Sequence, residues 1–373
     1  MTPGIVRLRQ QLHSIPELSG NERLTSEKIK NFLHEHIPGI RFVAMGGYSF
    51  LAYAGPACPA SPRVFRVDMD AVRGAETKQI PYRSAHPGIA HLCGHDGHSC
   101  VGVSLALTLF KADKPNDIAV LFQGAEETGQ GAARACQCLQ KLGITPAIVL
   151  GHHNIPGYPT GRILIKKGLF AMASSGISIE FSGRESHASE PEQAVNPLKT
   201  VMKTTELLGG IQRSRAKPDE LLTLTHLSVG ESGSFGTTPG RGTVQLTVRS
   251  RSKRRLEAKL DEVRKICNSA VKDSSITVET KTCDPFPPTV NDPRATDRLI
   301  TIVKQLGWDF SILRRSFRWS EDFGHYTKIS PTLFMGVGSG ANTAPLHHSL
   351  YDYPDPLLET SSRLFSHLLE KIS

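Results

Sequence analysis

Eight residues, His91-Leu92-Cys93-Gly94-His95-Asp96-Gly97-His98, set a thiol, three imidazoles and a carboxylate side by side, with glycines that free the backbone to turn. These side chains hold divalent transition metals, and ligands one residue apart in a loop can face one ion. The cluster reads as part of a metal site. A hydrolytic pair of ions about 3.5–4 Å apart needs about five or six protein ligands and a base for the attacking water, so further donors must come from elsewhere.

Three other stretches offer them. Gly124-Ala125-Glu126-Glu127 carries two adjacent carboxylates, Gly151-His152-His153-Asn154 two imidazoles, and Leu346-His347-His348 two more near the end. Adjacent side chains diverge, so one glutamate can ligate while the other, raised by its like-charged neighbour and by burial, serves as general base. On residue type alone, either member of each histidine pair qualifies. A single Glu-Glu or His-His pair is an ordinary surface feature; agreement among the stretches points to one centre.

The elements that position these groups follow from periodicity. Apolar spacing predicts two helices over 3–35, broken around Pro16 and Gly20, and a strand pair at 41–45 and 49–54 across Gly46-Gly47. A strand at 63–70 ends in Asp68-Met69-Asp70, one at 117–123 ends at the glutamates, and one at 147–150 ends at His152-His153. Open α/β sheets bind ligands at such strand exits. Helices are expected at 99–110 and 129–142; Cys136 and Cys138, two apart in the second, face different directions and read as packing residues.

From about residue 173 the order becomes β-α-β-β-α-β, which is ferredoxin-like. The expectation is therefore an α/β protein of two domains: a sheet-plus-helices catalytic domain in two parts, 1–172 and 285–373, and an inserted α+β domain at 173–284. Pro285, Pro287 and Pro288 mark a stiff return linker before a helix at 291–307, a strand at 332–337 and a closing helix after Pro354.

Bulk composition narrows the class. At 373 residues, 39% hydrophobic and 21% charged, the chain is globular and too long for one comfortable core. It has no apolar run of eighteen, its first seventeen residues do not read as a signal peptide, and its seven scattered cysteines suggest reduced thiols, so a soluble cytoplasmic protein is expected, with no membrane partner. The formal charge of +9 includes the run Arg249-Ser250-Arg251-Ser252-Lys253-Arg254-Arg255, which lacks interleaved aromatics and matches no nucleic-acid motif. Small anionic substrates are the better use for that charge.

Taken in order, Leu12-His13-Ser14-Ile15-Pro16-Glu17-Leu18-Ser19, Arg66-Val67-Asp68-Met69-Asp70-Ala71, the 91–98 cluster, Phe122-Gln123-Gly124-Ala125-Glu126-Glu127, His153-Asn154-Ile155-Pro156-Gly157, Ser186-His187-Ala188-Ser189-Glu190-Pro191, Ser320-Glu321-Asp322-Phe323 and Leu346-His347-His348 carry a resemblance over nearly the whole chain. The chain resembles the amidohydrolase branch of the aminoacylase and carboxypeptidase metallopeptidase family, which includes hippurate hydrolases and plant hydrolases of auxin–amino acid conjugates. That resemblance implies Cys93, His95, Glu127, His153 and His347 as metal ligands and Glu126 as general base and proton donor to the leaving amine. It implies that Asp70 orients a ligand, and that His187 supports the oxyanion, from the partner subunit of a homodimer built through the inserted domain. Asp68 stands where other branches carry a ligating histidine. Gly-His-His replaces the more usual Gly-Leu-His, and Val72-Arg73-Gly74 replaces a Leu-Pro pair, placing a cation near the pocket mouth.

The expected function is hydrolysis of an N-acyl amino acid or peptide-like amide with two divalent ions, zinc, manganese, cobalt or nickel. Arg249 or backbone donors around Gly338 are candidates for holding the substrate carboxylate. The alternatives are a dipeptidase or carboxypeptidase of the same fold, and a non-catalytic metal-binding or ligand-binding homologue. An intact Glu126 argues against the last, because a binder needs no unligated base.

Overall fold

The computed structural model describes residues 3–110, 117–213 and 220–372. In chain order the elements that matter are α1 (Pro3–Ser14), α2 (Arg23–His36), β1 (Arg41–Ala44), β2 (Phe50–Tyr53), β3 (Arg63–Asp68), α3 (His95–Leu109), β4 (Ile118–Gln123), α4 (Gly131–Lys141), β5 (Ile148–Pro156) and β6 (Ile163–Ile165). Then come β7 (Ala173–Ser182), α5 (Leu198–Arg213), β8 (Glu220–Val229), β9 (Arg241–Ser250), α6 (Lys253–Val271) and β10 (Thr277–Phe286). The chain closes with α7 (Pro293–Gln305), β11 (Phe310–Ile312), β12 (Thr332–Gly340) and α8 (Pro356–Lys371). Two compact units result: Met1–Phe170 with Thr289–Ser316 and Glu321–Ser373, and Ala171–Pro288 with Phe317–Ser320.

The larger unit holds a mixed eight-stranded sheet in the order β1-β2-β4-β3-β5-β12-β6-β11. Its centre, β4-β3-β5-β12, is parallel, whereas β1, β2 and β4 run antiparallel. Parallel strands are covered on both faces, and β4 accordingly reads as a continuous apolar run, Ile118 to Phe122, buried throughout. Helix α3, buried over most of its length, packs with α1 and α8 into the same core. The parallel centre brings the C-terminal ends of β3, β4, β5 and β12 to one edge of the sheet.

The third strand exit differs from expectation. Strand β5 does not stop before the histidines but runs through Pro156, because β12 continues to Gly340 and keeps pairing with it, Met335 opposite His152 and Gly336 opposite His153. Alternation then sends the two imidazoles to opposite faces. His152 lies with its ring centroid 4.7 Å from that of Phe365 in α8, while His153 Nε2 sits 3.4 Å from Cys93 Sγ. Helix α3 likewise starts earlier than expected, at His95, so half of the metal-like cluster forms its first turn. Gly94 precedes it at φ +91°; a Cβ there would sit 2.7 Å from both Asn154 Oδ1 and Tyr351 Oη, so only glycine fits.

The smaller unit is an antiparallel sheet in the order β8-β9-β7-β10 with α5 and α6 packed on it. That order is the ferredoxin-like one. Alternate residues Ile177, Ile179 and Phe181 of β7 and Val244, Leu246 and Val248 of β9 fill its core. Among the described residues, strand β8 pairs only with β9 and forms an edge. Among these residues, too, no helix is long and apolar enough to cross a membrane.

Candidate metal centre

At the shared edge of the large sheet, five donors converge from five places. The loop before α3 presents Cys93 and the first turn of α3 presents His95; the turn after β4 presents Glu127, β5 presents His153, and the segment after β12 presents His347. Cys93, His95 and His153 place donor atoms within 4.8 Å of one another, as do Cys93, Glu127 and His347, and as do His95, Glu126 and Glu127. Cys93 belongs to the first two groups. Glu127 Oε1 lies 3.9 Å from His95 Nε2 and 3.5 Å from His347 Nε2. His347 holds φ +64°, a left-handed conformation that a non-glycine residue adopts under constraint, and its amide donates to Leu92 O at 2.8 Å.

His153, His95 and the glutamate turn are held by partners outside the cluster. His153 Nδ1 donates to Asn154 O at 2.8 Å, which leaves Nε2 with its lone pair toward Cys93. Asp70 sets Oδ1 3.3 Å from His95 Nδ1, while its Oδ2 accepts from the Glu127 amide at 2.9 Å and from Ser19 Oγ at 2.6 Å. Glu126 Oε1 accepts from the Asp322 amide at 3.3 Å. One carboxylate thus serves the imidazole and the glutamate turn together.

The donor set fits divalent cations. His95 Nε2 and Glu127 Oε1 are buried and have no hydrogen-bond partner among the described residues; leaving such atoms unmet costs about 1–3 kcal/mol each. Burial, then the carboxylates of Glu127 and Glu126, push the Cys93 thiol well above its ordinary range. Burial likewise raises Glu126, with Glu321 and Glu127 adding to it. Burial alone would lower His95, but Asp68, Asp70 and Glu127 outweigh it and push it up to about 10. This surplus of buried negative groups is what a cation pair neutralises, and a neighbouring cation deprotonates a thiol outright.

Asp68 is engaged elsewhere. It accepts from His98 Nδ1 at 2.6 Å and from Arg66, a fully buried guanidinium that also reaches Gln123 Oε1 and Asp322 Oδ1, both at 2.9 Å. His98 Nε2 accepts from the Asn154 amide at 3.2 Å, so its proton sits on Nδ1 toward Asp68. Asp96 turns the other way, accepting from His13 Nδ1 at 2.8 Å and from Arg9. His91 is buried with neither ring nitrogen hydrogen-bonded among the described residues. Sequence reasoning gave no role to Glu321, whose Oε1 lies 3.7 Å from His153 Nε2 and whose Oε2 lies 3.6 Å from Arg66. Its only sequence signal is the Ser-Glu-Asp-Phe motif around it.

His187 belongs to the smaller unit. It lies in a two-residue strand paired with Thr237–Thr238 and is exposed. The Ser189 amide donates to its Nδ1 at 3.2 Å and Ser189 Oγ lies 2.7 Å away, so the ring proton sits on Nε2, an outward-facing donor. Arg249, also in this unit, donates to Ser320 Oγ at 3.0 Å and to Arg318 O at 3.3 Å.

The model of peptidase family M20/M25/M40 matches residues 64–371. Hippurate hydrolase of Campylobacter jejuni is 26% identical over 376 residues, covering 98% of this chain and 95% of its own. N-acetylcysteine deacetylase of Bacillus subtilis is 24% identical over 371 residues, with 98% and 95% covered. A solved Bacillus subtilis structure described as a dinuclear metal binding peptidase superimposes with a TM-score of 0.77 at 22% identity, covering 98% of this chain and 96% of its own. An aminobenzoyl-glutamate utilization protein from Klebsiella pneumoniae does so at 0.72 and 16%, with 99% and 95% covered, and both share the fold. With a family model spanning most of its length and relatives spanning nearly all of it, the chain belongs to peptidase family M20/M25/M40.

Proposed function

We propose that this chain, a metal-dependent amidohydrolase by family, cleaves the amide of an N-acyl amino acid, with Cys93, His95, Glu127, His153 and His347 holding two divalent ions. The observation that carries this is the overlap of the donor groups: Cys93 is common to two of them and Glu127 faces both His95 and His347. One thiolate with imidazoles and a carboxylate suits zinc, manganese, cobalt and nickel alike. When bound, such a pair polarises the scissile carbonyl and makes water nucleophilic at neutral pH.

The chain's own residues do the rest. Glu126, buried and anchored by the Asp322 amide, takes a proton from the attacking water and returns it to the departing nitrogen, so an acid and an amine leave with no net proton change. Asp70 keeps His95 and Glu127 in place by its two oxygens. His187, its proton on the outward Nε2, donates to the developing oxyanion from the partner subunit of a homodimer. The dimer reading is supported by β8, an edge strand whose Leu224 and Leu227 are exposed, as are Leu198, Met202 and Leu207 on α5; an open apolar edge of this kind invites pairing with a second copy. All seven cysteines are free thiols, which suits a cytoplasmic setting.

Amine release detected with ninhydrin from a panel of N-acetyl, N-benzoyl and dipeptide substrates tests the proposal. Turnover of N-acyl amino acids is expected. Preference for dipeptides would move the reading toward a peptidase of the same family, and no turnover with any added divalent metal would refute it.

A further inference from the structure

The segment Pro16-Glu17-Leu18-Ser19-Gly20-Asn21-Glu22 lies about a hundred residues before the glutamates, yet its Glu22 side chain ends on the turn that carries them. The turn Gly124-Ala125-Glu126-Glu127 has left β4 and not yet entered α4, so no ladder or helix takes its first amides. It is also strained: Ala125 holds φ +54° without being glycine, a conformation that costs roughly 1–2 kcal/mol and persists only where surroundings over-determine it. Three side chains from elsewhere take the amides. Ser49 Oγ accepts from Gly124 at 2.9 Å, Glu22 Oε1 from Ala125 at 2.7 Å, and Asp70 Oδ2 from Glu127 at 2.9 Å.

Two of these three trace back to the connector between α1 and α2. Glu22 is 1% exposed, and the same Oε1 also accepts from the Gly20 amide at 2.7 Å, so the connector's own turn aims it. Ser19 donates to Asp70 Oδ2 at 2.6 Å, fixing the oxygen that receives the Glu127 amide. The connector is itself tied down, with the Ala71 amide donating to Glu17 O at 2.8 Å and the Glu17 carboxylate accepting from the Thr25 amide at 2.8 Å. The approach is close enough that a Cβ on Gly124 would sit 2.8 Å from the Glu22 carboxylate.

The geometry points to Glu22 and Ser19 as positioning residues that hold the Gly124–Glu127 turn in the conformation that separates Glu126 from Glu127. This rests on the roles proposed above for those two glutamates. Glu22 acts as a hydrogen-bond acceptor, not as a charge: its oxygen receives two amides and, among the described residues, bonds no cationic side chain. A glutamine, which keeps an acceptor oxygen, should therefore replace it, whereas an alanine should not.

The test uses the full-length, metal-loaded chain with Glu22→Gln, Glu22→Ala and Ser19→Ala, read by amide hydrogen exchange of the 124–127 peptide, by metal affinity in chelator competition, and by kcat. For Glu22→Ala, exchange at 124–127 is expected to speed up with distant peptides unchanged, and metal affinity and kcat to fall about tenfold or more, the range of losses seen when a partner behind a ligand is removed. Glu22→Gln should restore protection, affinity and kcat to within about threefold of the parent on the same scale. Unchanged exchange at 124–127 in Glu22→Ala, or a Glu22→Gln variant as impaired as Glu22→Ala, would overturn the proposal. If Glu22→Ala does not fold, Ser19→Ala carries the test: looser exchange at 124–127 and weaker metal binding support the proposal, and parental values for both overturn it. Hydrogen exchange needs no substrate, so a parent chain that hydrolyses none would sink the assigned reaction while leaving this test standing.

Discussion

Replacing His152 by leucine should stabilise the protein, because His152 occupies an apolar site that cannot meet its hydrogen-bonding needs. The side chain is 2% exposed, and neither ring nitrogen has a hydrogen-bond partner among the described residues. Its neighbours are the rings of Phe365 at 4.7 Å, Phe65 at 5.6 Å and His98 at 4.7 Å between centroids. A neutral imidazole carries one donor and one acceptor, and each left unmet costs about 1–3 kcal/mol. Leucine removes both penalties and buries apolar surface, against a shape mismatch of up to about 1.5 kcal/mol. Penalties of about 2–6 kcal/mol together, less that mismatch, leave a net gain of about 0.5–4.5 kcal/mol, which at about 2 °C per kcal/mol in a unit of this size raises Tm by roughly 1–9 °C. Because alternation points His152 away from Cys93, metal content and kcat should stay near parental values. Thermal unfolding of the metal-loaded proteins, followed by calorimetry, is the assay. A lower Tm for the leucine variant would refute the reasoning and show that the imidazole is satisfied by something the packing does not reveal.

Other consequences are equally direct. Glu126→Gln should keep its metal and lose about 10²–10⁴ in kcat, measured under saturating substrate; a kcat within tenfold of parental would remove Glu126 from the role of base. His187→Ala should lose about 100-fold in kcat, equivalent to about 3 kcal/mol of oxyanion stabilisation, with metal content intact, and a purely structural His187 would leave kcat alone. His13 is pushed up to about 9, burial opposing the shift and Asp96 and Glu76 outweighing it. Because its folded value lies above its unfolded one, the stability it contributes is complete below pH 6.5 and disappears as pH rises toward 9. The stability gap between the parent and His13→Gln, of the order of 3 kcal/mol at pH 6, should therefore close by pH 9.5 in urea titrations; a gap constant with pH would show that the pair is not charged.

Much of the centre was legible because its donors sit at sequence-local boundaries. The run 118–122 is an apolar strand that stops at polar residues, the run 63–68 is a strand that ends in a carboxylate, and parallel pairing brings their ends together. The reading failed where an apolar pattern gives no stop. His152 and His153 look like a loop after Leu150, but pairing with β12 keeps them in the strand, and pairing partners nearly two hundred residues away leave no local mark. In the sequence His153 was preferred to His152 by resemblance; in the fold alternation separates the two rings, one toward Cys93 and the other toward Phe365. The ferredoxin-like order was readable from period-two alternation in strands such as Ile177-Ser178-Ile179-Glu180-Phe181. Contacts such as Glu22 with Ala125, or Arg66 with Asp322, were not, since nothing in either stretch names its partner. Nor does Glu321 announce itself, because a glutamate in a short motif has no signature of burial until Arg66 and His153 are seen beside it.

In the proposed two-ion site Cys93 would serve both donor groups in which it stands. Elemental analysis of the purified chain and of Cys93→Ala, each reconstituted with one divalent metal and desalted, tests it most directly. About two ions per parent chain are expected, the number a two-metal hydrolytic site requires, with a loss of at least one in the variant; two ions retained by Cys93→Ala would contradict the assignment.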